Sequence, residues 1–411
     1  MRKIVKMSIV AASLIATTAM AADKGIDITT TGQAVVYYQT LANNGAGSPD
    51  LFDQATGRAN AGLQLNLDAD LKNGFTFGSQ INYLGTLGLE KNIVSNTMQN
   101  VNGGITENSI SDDVYLSQLY VAKKIANTTV KLGRQELPQS LSPFAYSEGW
   151  NVFKNTFDAA LVVNTDIPNT TLVGAYVGGG NYNNVGSNMS AFGDLTTTAG
   201  TVDGTAYMLT VQNKSIPMAT VTGTYYSVSN VAGSVDADIF WGDVAIAGKD
   251  LPMGLNFGIQ GGQISPDAAG LTDTSALGLK VGMKVDALTL MAAYTTVDDG
   301  TVGIKNTGGV KTPLYTQMIL NQSSLYSDND TYMLKAAYSL GSAGTIIAQG
   351  TMTDDNRNIA VPKDLTDLEL IYKVKAGGVD FLAAYVNQSW DAAAGAADGQ
   401  DLVRLVARYN F

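Results

Sequence analysis

Neither cysteine nor histidine occurs anywhere in the 411 residues. The first absence excludes a disulfide framework and thiolate metal sites. The second removes Ser-His-Asp and Cys-His catalysis and every histidine-ligated zinc or iron site. An enzyme built on this chain would have carboxylates, lysine, serine or tyrosine alone to work with. Long apolar runs are missing as well. No stretch beyond the N-terminus approaches the ~20 consecutive apolar residues that a membrane-spanning helix needs. Proline is scarce (9) and glycine abundant (44), a balance that suits strands joined by tight turns.

The N-terminus reads as an export signal. Arg2, Lys3 and Lys6 form a positive start, Met7 to Thr18 is mostly apolar, and Ala19-Met20-Ala21 resembles a cleavage site. Residues 1–21 are therefore expected to be removed, leaving one domain over 22–411. The formal net charge of −11 becomes −14 once those three cations go. Such acidity argues against nucleic acid as a partner. Taken alone, it leans toward cations as solutes.

Hydrophobic residues make up 45% of the chain, spread at alternate positions. The last ten residues show the pattern best. Val403, Leu405, Ala407, Tyr409 and Phe411 form one face; Arg404, Arg408 and Asn410 lie on the other, with Leu402 and Val406 between them. A strand with one apolar face and one face bearing arginines fits a wall between lipid and a wet lumen. Alternation and turn residues mark eighteen such strands, from Asp27–Gln39 to Leu402–Phe411. Their connections alternate between short turns, such as Asp286-Ala287, and long loops at Thr40–Gly57, Gly85–Asp113, Glu136–Phe157, Gly178–Gly204, Asp298–Asp330 and Ser389–Asp401. Aromatic residues recur near strand ends on the less polar face: Tyr37, Phe75, Phe77, Tyr83, Tyr294, Tyr338, Tyr372, Phe381, Tyr385 and Tyr409. The expected fold is all-β, a transmembrane antiparallel β-barrel of about 18 strands with short periplasmic turns and long extracellular loops. The competing reading is an exported surface-layer or adhesin β-protein without a pore.

One segment carries a family resemblance. From Thr129 the chain reads Thr-Val-Lys-Leu-Gly-Arg-Gln-Glu-Leu. A loop with Pro143, Phe144 and Trp150 follows, then Asn155-Thr156-Phe157-Asp158-Ala159-Ala160. This stretch, about Thr129 to Val177, resembles OprD-type outer-membrane porins, closest to those of epsilon-proteobacteria. The resemblance implies an eighteen-stranded barrel in the bacterial outer membrane, often a homotrimer among lipid and lipopolysaccharide. It implies passive diffusion of ions and small hydrophilic solutes, with no cofactor and no catalysis. It also implies that the loop 136–157 folds inward, and that a basic ladder on the wall guides carboxylates.

Selectivity in such a pore is electrostatics at a narrow place. The polar parity of the strands assigns Arg58, Asp68, Lys131, Lys280, Lys284, Lys335, Glu369, Lys373, Arg404 and Arg408 to the lumen. The long aromatic loop adds Glu136, Glu148 and Lys154 as constriction candidates. Arg134 is a candidate too, although alternation from Val130 and Leu132 places it outside; either a bulge turns it or it anchors the loop at the rim. Clustered acids at Asp298-Asp299, Asp328-Asn329-Asp330 and Asp354-Asp355-Asn356 lack the spacing of a calcium loop and read as solvated loop ends. Phe411 is expected to serve as the signal read by assembly machinery.

Overall fold

The computed structural model describes residues 26–101, 105–106, 109–110, 113–195, 204–232, 234–357, 363–393 and 395–411. The expected signal peptide lies outside the described residues. Eighteen strands form a single antiparallel sheet. The first six are β1 (Asp27–Asn43), β2 (Gly57–Lys72), β3 (Phe75–Gly85), β4 (Asp113–Ile125), β5 (Thr128–Gln135) and β6 (Phe157–Asn164). Then come β7 (Thr170–Gly180), β8 (Ala206–Asn213), β9 (Ala219–Ala232), β10 (Val235–Ala247), β11 (Asn256–Pro266) and β12 (Thr274–Val285). The last six are β13 (Leu288–Val297), β14 (Asn329–Ser339), β15 (Thr345–Asp355), β16 (Leu365–Ala376), β17 (Val379–Trp390) and β18 (Gly399–Asn410).

Each strand pairs with its sequence neighbours, and β18 pairs back onto β1 from Gln33↔Asn410 to Asn43↔Gln400. The sheet is therefore a closed barrel without a free edge. One end carries short turns. Between β2 and β3, Asn73 and Gly74 reverse the chain with positive φ values of 52° and 77°, which the Asn-Gly pair accommodates with little strain. The other end carries the loops that fold back over and into the barrel. No helix among the described residues is long and apolar enough to cross a membrane.

Alternation decides which side chains face in. On β18 the odd positions Leu405 and Tyr409 are exposed outward, while Leu402 and Arg404 are buried inside. Apolar side chains such as Leu334, 71% exposed, dominate the outer face. Tyr37 breaks the sequence expectation. It is 1% exposed and points inward with Val35 and Gln39, whereas Val36 between them faces out. Its aromatic ring packs in a cluster with Phe153 of the aromatic loop, so an aromatic on β1 belongs to the interior and not to an outer girdle.

The seam between β1 and β18 ends on the terminal residue. Gly32 and Phe411 exchange backbone hydrogen bonds of 2.8 and 3.0 Å. A methyl group on Gly32 would lie 2.5 Å from the Gln64 carbonyl oxygen and 2.7 Å from the Phe411 ring. Glycine is required here by the close approach of ring and backbone. Replacing Gly32 by Val is expected to cut the yield of folded barrel severalfold, read as the heat-modifiable band on unheated gels. At Gly174 nothing lies within 4 Å of an added Cβ, so Gly174→Val serves as the control that folds normally.

Candidate functional site

The interior is filled unevenly. Along β6 to β13 many inward positions are apolar, including Phe157, Val173, Val177, Met208, Ile239, Trp241 and Ile264, and they pack against apolar loop residues. Those come from the aromatic loop (Leu137, Phe144, Ala145) and from residues 298–328 (Val302, Ile304, Leu314, Leu325). Phe144 meets Trp241 and Tyr226 edge-on, with ring centroids 5.2 and 6.0 Å apart. Burying a phenylalanine this way contributes about 2–3 kcal/mol. The loop 298–328 thus runs inside the barrel beside the loop 136–156. Tyr315 ties it to Asp243 on β10, the Thr316 and Thr295 hydroxyls lie 2.6 Å apart, and Ile319 N–H donates to Glu369 on β16 at 2.6 Å.

The two loops are joined at Glu148. This side chain is 2% exposed. Its carboxylate accepts from the Trp150 indole (2.7 Å), the Asn306 amide (2.8 Å), Val310 N–H (3.1 Å) and Lys311 N–H (2.7 Å). Glu148 was a candidate for a charge narrowing the pore. Its full set of donors makes it a buried latch between loops instead, out of reach of a passing solute. Buried amides extend the latch. Asn183 donates to the Glu148 carbonyl, Gln99 exchanges hydrogen bonds with the Phe153 backbone, and Asn60 holds residues 98 and 99.

The Asn-Thr-Phe segment is explained by the same packing. Asn155 accepts from Glu148 N–H at 2.7 Å, Thr156 donates to the Ser117 carbonyl at 2.7 Å, and Phe157 is fully buried. Because β5 stops at Gln135, β4 beyond Leu119 has no ladder partner on that side. Thr156 and Arg134 supply it, Arg134 donating to the Leu116 carbonyl at 3.2 Å. Arg134 thus takes the second of its two expected places, anchoring at the rim. It lies on the outward parity at the rim, in a two-point ion pair with Asp158 (2.8 and 3.0 Å) and against the Phe192 ring.

The open space lies on the other side, against the β1–β18 seam. One cavity of about 560 Å3 is lined by Gln33, Gln64, Asp68, Glu136, Lys154 and Arg408 among others. A second of about 580 Å3 is lined by Tyr37, Trp150, Ile319, Lys373, Lys375, Asp380, Arg404 and Arg408. They meet at Gly149, Asn151 and Arg408. Together they present five cations against three carboxylates (Asp68, Glu136 and Asp380), the reverse of the whole-chain balance. Lys154 and Glu136 pair at 2.6 Å, and Lys375 and Asp380 lie 3.7 Å apart. Lys373, Arg404 and Arg408 carry the surplus.

Arg404 is fixed by two hydrogen bonds to Gln39, 3.1 and 2.9 Å, and lies 5.7 Å from the Trp150 ring. Arg58 shares its lateral row, both being register partners of Gln39. Lys311, on the loop 298–328, is 5.7 Å from the same Trp150 ring and donates to the carbonyls of Met318 and Ile319. Burial, and then the nearby Arg404 charge, push Lys311 down to about 8. Sequence reasoning missed Lys311; its neighbours Val310 and Leu314, apolar in a long loop, were the signal that the segment folds inward.

The remaining candidates face inward but stand apart from the cavities, or carry a partner. Lys131 lies 3.6 Å over the Tyr120 ring and Lys280 4.1 Å over Tyr315. Lys335, Gln349 and Glu369 share one row, with Gln349 donating to Glu369. Lys284 points inward near the short-turn end. The acidic loop ends are spent locally: Asp298 accepts from Ser275 N–H, Asp330 from Tyr294 and Asn356, and Asp355 from Arg357.

No protein-family model and no curated protein matches the sequence. The fold has solved counterparts. OccK8 (OprE) of Pseudomonas aeruginosa superposes with a TM-score of 0.73 at 16% identity, covering 94% of this chain and 98% of that one. OpdK of the same organism, solved with vanillate, gives 0.73 at 13% identity, over 94% and 98%. A BenF-like porin of Pseudomonas fluorescens Pf-5 gives 0.72 at 13%, again over 94% and 98%. The chain has the fold of the Occ-type porins. These structures do not support the nearer likeness to porins of epsilon-proteobacteria that the Thr129 to Val177 motifs suggest.

A test of the latch follows from its donors. Each buried donor left without an acceptor costs about 1–3 kcal/mol. Glu148→Ala strands four of them and is expected to free the loops 136–156 and 298–328 for proteolysis while the barrel stays heat-modifiable. Glu148→Gln, which keeps one acceptor oxygen, is expected to fall between the two.

Proposed function

We propose that this protein is an outer-membrane porin of the OprD type, passing ions and small hydrophilic solutes by diffusion. The observation that carries the reading is the pairing of an apolar outer wall with charged inner cavities in one closed barrel. A soluble barrel would not expose Leu209, Leu334, Leu368 and Leu370 together, because the cost of hydrating such a belt is removed only by lipid. A surface-layer protein or adhesin has no need of inward-facing lysines and arginines at all.

The cation surplus of Lys373, Arg404 and Arg408 supports a preference for small anions, carboxylates among them; vanillate, found with OpdK, belongs to that class. The acidity of the whole chain does not oppose this. Much of it sits at loop ends, where salt screens it beyond roughly 8–10 Å. Planar-bilayer recording of the purified protein is expected to show discrete conductance steps, and a KCl gradient a reversal potential of the sign for chloride over potassium. An inserted, heat-modifiable barrel that gives no steps would sink the porin reading. A potassium-selective channel would sink the anion preference only.

A further inference from the structure

Arg408 is the side chain on which the two cavities meet. It projects inward from β18 and lines both. Its guanidinium donates across the gap to the Val152 carbonyl at 3.0 Å, on the tip of the aromatic loop, and also to Gln33 on β1. The tip is thereby tied to the wall, and the tie separates one cavity from the other. Gly149 and Asn151, which line both cavities, belong to the same tip.

The tie is made with neutral acceptors. Among the described residues no carboxylate lies within ion-pair distance of Arg408. Asp380, its register partner, is engaged by Lys375 at 3.7 Å and by the Asn410 amide at 3.1 Å. Arg404, two steps along the same strand face, differs: both of its hydrogen bonds go to Gln39 on the wall. An oxyanion offers a guanidinium two charged acceptors in a planar fork, roughly twice as strong as neutral ones. A solute of that kind competes well for Arg408; chloride, with no fork to offer, competes less well.

Resting on the porin reading, we propose that Arg408 is a displaceable tether, holding the loop tip to the β1–β18 wall when the channel is empty and released by a passing oxyanion, so that the two cavities merge. The tether is a specificity-determining residue through its geometry as well as its charge. Lysine would preserve the charge without spanning Gln33 and Val152 together. Gln33→Ala would remove one acceptor and leave every charge in place.

The test is single-channel recording of wild type, Arg408→Ala, Arg408→Lys and Gln33→Ala, each confirmed as a heat-modifiable barrel, in KCl and in potassium acetate. With the tether gone, Arg408→Ala is expected to conduct about twofold more in KCl and to show a weaker anion preference, since its charge lines the path. Arg408→Lys is expected to gain conductance while keeping the preference. Gln33→Ala, on a different strand, is expected to gain conductance with unchanged reversal potential. In wild type, acetate should raise the fraction of time spent in the larger-conductance state, and Arg408→Lys should lose that response. Variants that conduct as wild type does, with no acetate response in any of them, overturn the tether while leaving the porin reading intact. A wild type that forms no channel overturns both.

Discussion

Every backbone N–H and C=O in the wall of this protein must find a partner within the sheet, because the outer face is apolar and offers no water. Closure of β1 on β18 meets that demand, and the reciprocal bonds between Gly32 and Phe411 carry it to the last residue. The same demand explains how the break in the ladder between β4 and β5 is repaired. β5 and β6 are short because the chain between them turns inward, and the exposed upper part of β4 would be left with orphan carbonyls. Arg134 and Thr156 bond to two of them. An arginine at the rim thereby helps to repair an edge.

Turning the loop inward creates a second demand, for apolar contact within the barrel. The interior divides into a packed side along β6 to β13 and an open side along the β1–β18 seam. The loop 136–156 alone does not fill the packed side; the loop 298–328 supplies the rest and is joined to it through the Glu148 carboxylate. A carboxylate is well suited to this task. It accepts four hydrogen bonds at once from groups that would otherwise be buried without partners. The cations that border the path stand opposite this latched pair, with Trp150 between Arg404 and Lys311. Wall and loops therefore set the electrostatics of the path together.

The strand count, the alternation of turns and loops, and the inward direction of Arg404, Arg408, Lys280 and Lys373 were legible in the sequence. There, a charge alternates with apolar neighbours, and only one parity is tolerable at a lipid face. Tyr37 was not legible, since an aromatic side chain suits an outer girdle and an inner cluster equally. Along β7 both parities are apolar, as at Val173 and Ala175 within and Leu172 and Tyr176 without, and alternation loses its meaning. That double apolarity was itself the missed sign of loops packed inside. Glu148 was illegible for a different reason: three of its four donors lie 158 to 163 residues away, in a loop read as exterior.

The central claim is that the path runs along the β1–β18 seam, with the opposite half of the barrel closed by interlocked loops. Because the chain contains no cysteine, single cysteines report on this without background. In open channels exposed to a small charged thiol reagent, Asp68→Cys and Lys373→Cys are predicted to react quickly, each with a stepwise fall in current. Met208→Cys and Thr210→Cys, inward residues on the packed side, are predicted to stay unreacted. Equal reactivity at all four positions, or reaction at 208 and 210 alone, would contradict the account.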